Sequence, residues 1–154
     1  MAFSKITRAL EIPREATAVY VFDKLRRLDA EGPPTLELRH AGDGTRAFKA
    51  AWWAARNAQR TRGGGSAVSE AKTIERCLQD AKLIADHCVV SWQFVVEDDG
   101  QPAPCTPDKV LEFLNAIIVA DEGIVEFTAF SSWVQNADNF RPLGVGDAVE
   151  LGKA

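Results

Sequence analysis

The chain has 154 residues and a mass of 16.8 kDa, enough for one domain with its own core and no covalent staple. Acids outnumber bases by 22 to 18, giving a net charge of -4 and an isoelectric point near 5.2. With the basic residues scattered, the stripe that a duplex-binding protein needs to displace counterions is missing, which argues against nucleic acid as the main ligand.

An apolar share of 46% argues against wholesale disorder. No apolar run approaches the roughly 18 residues that would span a bilayer, and Met1 to Leu10 lacks the apolar run of a signal peptide. Cys77, Cys88 and Cys105 are odd in number, and a helix carrying the first two would hold them about 16 Å apart, beyond disulfide reach. Reduced thiols in a cytosol fit best.

Met1 to Glu11 carries weak structural signals. From Arg14 to Leu28, Ala16, Val19, Phe22 and Leu25 recur at helical spacing, while Val19 to Phe22 reads equally as strand. Gly32-Pro33-Pro34 stops that element, and Thr35 to Arg39 alternates as a short strand. A helix is predicted from Thr45 to about Arg62, with Phe48, Ala51, Trp52 and Ala55 on one stripe. Gly63-Gly64-Gly65 reads as a linker, because consecutive glycines maximise backbone freedom.

The longest helix is predicted from Val68 to His87, burying Ile74, Cys77, Leu78, Ala81, Ile84 and Ala85. Val89 to Val96 is the most apolar extended segment, and Asp98-Asp99-Gly100 turns it. Thr106-Pro107 opens a helix to about Ala120 that buries Val110, Leu111, Leu114, Ile117 and Ile118. A last helix runs from Ile124 to about Ala137, with Ile124, Phe127, Ser131 and Val134 on one face. The sum is a mostly α (α+β) protein with two short extended segments. It divides into an N-terminal helical part (1–62, strand at 35–39), a linker (63–67), a C-terminal helical part (68–140) and a loose tail (141–154).

Chemistry-bearing patterns are thin. Gly63 to Ser66 lacks the buried strand before it and the lysine beside it that a phosphate loop requires. Asp86-His87-Cys88 with Cys77 falls short of the four converging ligands of structural zinc. Adjacent helical residues do not face each other, so His87 is no base for Cys88. Asp98-Asp99-Gly100 has no closing glutamate for calcium. No catalytic residue, cofactor or metal is assigned, and the chain is read as a non-enzyme. Arg56, Arg60 and Arg62 make the one local basic face, at a helix end where positive charge is favourable anyway. Trp52, Trp53, Phe130 and Trp133 remain as candidate contacts with a client protein, or as core.

The run Val90-Ser91-Trp92-Gln93-Phe94-Val95-Val96-Glu97-Asp98-Asp99-Gly100-Gln101-Pro102-Ala103-Pro104-Cys105-Thr106 resembles the tryptophan, valine and acidic-acidic-glycine-x-proline-x-proline run of phage tail assembly chaperones. Val110, Phe113 and Leu114 match that family's apolar helix positions, and Asn136 to Phe140 resembles its N-x-x-N-F ending. Thr35 to Arg39, with Gly42 and Phe48, resembles its short strand, turn and helix opening. Cys105 departs from the pattern, which favours an apolar or aromatic residue there. The resemblance implies a protein of the host-cell cytoplasm that binds the tape measure protein, a long apolar helical chain, and keeps it soluble. It also implies recruitment of tail tube protein and departure before the virion is complete. Self-association is compatible with this role, and neither nucleic acid nor membrane is expected as a partner. The alternative is a structural or head-to-tail connector protein that stays in the particle.

Overall fold

The computed structural model describes residues 12, 16–28, 30–42, 45–61 and 70–141. The N-terminal segment to Glu11, the 63–67 linker and the tail from Pro142 onward lie outside the described residues. Three strands, β1 (Thr17–Val21), β2 (Thr35–Arg39) and β3 (Val89–Gln93), form an antiparallel sheet in the order β1-β2-β3. Four helices accompany it: α1 (Arg46–Thr61), α2 (Glu70–His87), α3 (Pro107–Val119) and α4 (Gly123–Gln135). The fold is the small mixed α+β domain that the sequence predicts, with one strand more than expected.

The additional strand is β1, where helical spacing and strand composition compete. The segment TAVYV is rich in β-branched and aromatic residues, and its register sets Tyr20 opposite Leu36 and Val19 opposite Glu37. That register turns Ala18 and Tyr20 toward the helices and leaves Val19 and Val21 exposed on the outer face. Pairing with β2 decides the outcome, and the helical tendency survives as a single 3₁₀ turn, Asp23–Leu25.

β2 is the central strand, and its residues from Thr35 to Leu38 pair on both sides. Leu36 faces Tyr20 on one flank and Trp92 on the other. The parts before and after 63–67 therefore share one sheet, and buried residues from both join a single core. Leu36 and Leu38 are fully buried beneath the helices. An aromatic seam fastens sheet to helices: Tyr20 and Phe22 meet Phe130 at 5.1 and 5.0 Å between ring centres, and Trp92 meets Phe113 at 5.8 Å. Separations of this kind add to the area term.

The helix ends follow their local chemistry. The Thr106 hydroxyl accepts the Lys109 N–H at 3.2 Å, Pro107 occupies the first turn, and α3 buries Val110, Leu114, Ile117 and Ile118. The turn into α4 is tight: Glu122 adopts a left-handed conformation (φ 63°), and a Cβ on Gly123 would overlap the Ile117 carbonyl oxygen. At the other end of α4, a His40 ring nitrogen lies 2.9 Å from the Gln135 carbonyl oxygen, and the Ala41 N–H donates to Val134 O at 3.0 Å. These bonds anchor the exit of β2 just before α1 begins.

Candidate protein-contact site

Helix α1 has four charged residues, Arg46, Lys49, Arg56 and Arg60, and all are basic. One side of it rests mainly on α2: Phe48 is buried, and Trp52 is half-buried against the core. The Arg56 guanidinium lies 4.9 Å from the centre of the Trp52 ring and donates to both Asp80 oxygens on α2, at 3.1 and 3.3 Å. Burial pushes the Asp80 carboxyl above the ordinary range, against the pull of Arg56 and a weaker one from Arg76. A costly buried charge and its partner thus hold α1 to α2.

A flanking stripe of α1, about 100° round the helix from the packed one, faces outward. Arg46, Lys49 and Trp53 are separated by three and four residues, so they share one helical face, and all three are exposed. Trp53 is 52% exposed, with its ring edge-to-face to Trp52 at 5.0 Å. A large aromatic in this position is a ready contact for another protein.

The other aromatic candidates lie elsewhere. Phe130 is completely buried, which removes it as a surface residue: it is squeezed between Tyr20 and Phe22 of the sheet side and Phe127 of its own helix. Trp133 is half-buried between Tyr20 at 5.3 Å and Phe140 at 5.4 Å, and its carbonyl accepts the Asn139 side-chain amide at 2.8 Å. The four candidates do not form one patch. Trp52 and Trp53 sit together on α1, while Phe130 and Trp133 belong to the seam under the sheet.

A second concave feature lies at the far end of the sheet and is not evident in the sequence. After β3, Val96 bridges Pro102, and the Trp92 indole N–H donates to Ala103 O at 2.9 Å, folding the Asp98-Asp99-Gly100 turn back over α3. Arg27 braces the far side by donating to the Val96 and Glu97 carbonyls at 3.3 and 2.8 Å. The result is a groove of about 570 Å³ with Trp92 and Phe113 among its lining residues and Glu97, Asp98, Asp99 and Glu112 around them. Lys109 is the cation within it, 2.6 Å from Glu97 and 3.5 Å from Glu112. The hydrogen bond to Glu97 raises the Lys109 pKa, and the Glu112 charge adds to the effect.

The thiols divide in the same way as the aromatics. Cys88 is buried, and desolvation pushes its pKa up to about 12, a poor state for a nucleophile. Cys77 is buried and also raised by desolvation, whereas Cys105 is exposed. Among the described residues, no three His, Cys, Asp or Glu side chains come together as a metal site. Nor is any described helix long and apolar enough to cross a membrane. Comparisons with protein-family models, with curated proteins and with solved structures find no match for this chain.

Proposed function

We propose that this protein holds another protein chain during assembly, as a tail assembly chaperone of a long-tailed phage, with the tape measure protein as client. The observation that carries the reading is Trp53, more than half exposed on the flank of a basic helix, beside the side that packs. Leaving half of an indole in water forgoes on the order of 1 kcal/mol of burial, which a client side chain can recover. The run from Val90 to Thr106 that resembles the chaperone family supports the same reading. Its tryptophan, acidic turn, prolines and cap form one continuous unit of β3, bridge and α3 start. In this role the apolar client helix lies against the α1 face, and reversible contact lets the chaperone leave before the tail is complete. Recruitment of tail tube protein and residence in the host cytoplasm belong to the same proposal.

The test is co-expression with the tape measure protein proposed as client, followed by affinity capture and size-exclusion chromatography. A soluble complex is expected, with the partner insoluble when expressed alone. A partner that is soluble unaided and forms no complex would overturn the proposal. Fixed-copy recovery of this chain from purified particles would favour the connector alternative instead.

A further inference from the structure

The chain carries two surfaces that complement each other and lie on different elements of the fold. The first is the outward stripe of α1, Arg46, Lys49 and Trp53, which is cationic with one exposed indole. The second is the groove beside α3, where Trp92 and Phe113 stand among four carboxylates. Trp53 projects from a helix supported by α2, whereas the groove lies between the β3 hairpin and α3. We propose that α1 of one copy docks in the α3 groove of a second copy, with the Trp53 indole entering against Trp92 and Phe113.

Charge argues for this occupant. The groove holds Glu97, Asp98, Asp99 and Glu112 against the single ammonium of Lys109, with Arg27 committed to backbone carbonyls behind it. Lys109 already bridges Glu97 and Glu112, so among the described residues the turn carboxylates Asp98 and Asp99 carry most of the uncompensated charge. Asp99 accepts the backbone N–H of Gln101 at 3.0 Å. Arg46 and Lys49, one to two turns before Trp53, supply the opposite sign at the spacing of a helix lying across the rim. A groove of about 570 Å³ has room for an indole with neighbouring side chains of its helix. Aromatic rings meeting edge-on add to the burial of the indole.

The contact joins unlike surfaces, so it builds head-to-tail chains or a closed ring rather than a twofold dimer. It also covers the Trp53 face while no client is present. The inference stands apart from the chaperone reading, because self-association is measured on the purified chain alone.

Sedimentation equilibrium of the full chain, from micromolar to millimolar concentration in low salt, reads the association directly. The weight-average mass is expected to rise from one chain toward two and more. Raising the salt toward 1 M should reverse the rise as screening shortens to about 3 Å. Two charge-reversed variants, R46E/K49E on the helix and D98K/E112K on the groove, should each stay monomeric. An equimolar mixture of the two should associate again, because each reversed surface then finds a match on the other variant. Far-ultraviolet circular dichroism establishes that both variants are folded. A wild-type chain that stays monomeric throughout would overturn the proposal. So would variants that associate as strongly as wild type, or a mixture that fails to recover.

Discussion

Helix α4 sets Phe127 and Phe130 in the core and Trp133 at the seam, while α1 has α2 as its main support and leaves Trp53 in water. The two helices look alike in aromatic content but not in their fate. What separates them is the number of layers pressed against each. A helix between layers spends its aromatics on its own fold; a helix on one neighbour keeps a face for other proteins. Substitutions along the two helices should therefore separate into losses of stability and losses of binding.

The largest loss is expected for Phe130→Ala. Its ring is fully buried against Tyr20 and Phe22, so truncation removes transfer energy and leaves a cavity, about 3–5 kcal/mol in all. Urea denaturation checks this. A loss below 1 kcal/mol, roughly the scale of a surface change, would erase the contrast with α1. Gly123→Ala should follow at about 3 kcal/mol, the upper part of the overpacking range. The added methyl meets the Ile117 carbonyl, which is backbone and cannot rotate away. The same denaturation curve reads it, and a neutral result would mean that the α3–α4 turn relaxes freely.

How much of this contrast the residues announce depends on the element. The start of α3 is legible because Thr106-Pro107 is a local signal, and its hydroxyl cap forms as expected. The buried stripe of α2, with Cys77, Ala81, Ile84 and Ala85, follows from spacing alone, while Ile74 and Leu78 of the same expected stripe are only half-buried at its edge. β1 is not legible, since Val19 to Phe22 fits helix and strand equally until Leu36 and Leu38 supply an edge to pair with. The split between Phe130 and Trp53 is hidden for a related reason. Periodicity says which residues share a face, not how many layers cover it. The groove is hidden because it requires the Val96–Pro102 bridge and the Trp92–Ala103 hydrogen bond, both made by chain reversal rather than by neighbours in sequence.

The joint between the two regions gives the next effect. Arg56→Ala leaves Asp80 as a largely buried carboxylate without its principal counter-charge, which should cost about 2 kcal/mol at neutral pH, below the range for fully enclosed pairs. Asp80→Asn should stay within about 1 kcal/mol, because it discards the desolvated charge and keeps an acceptor for Arg56. The pH dependence has a definite sign. Asp80 binds its proton more tightly in the folded chain than at the ordinary 3.8, so stability falls as pH rises from there through the raised folded value. The fall should be steeper in Arg56→Ala and missing in Asp80→Asn. Denaturation midpoints from pH 3 to 7 would show it, and parallel curves for all three proteins would remove Asp80 from the joint.

The smallest effect on stability, and the most telling for function, belongs to Trp53→Ala. The indole is more than half exposed and touches chiefly Trp52, so its loss should move the unfolding free energy by no more than about 0.5 kcal/mol. Trp52→Ala is the internal control, because that ring packs against the core and beneath Arg56 and should cost measurably more. Binding should reverse this order. Removing Trp53 takes away the apolar group proposed both to meet the client and to enter the groove of a second copy, so capture of the co-expressed partner and self-association should both fail in a chain that remains folded. A Trp53→Ala protein that is markedly destabilised would show that Trp53 is packed like Phe130. One that is stable yet binds and associates as wild type would leave α1 a basic surface helix with no special face.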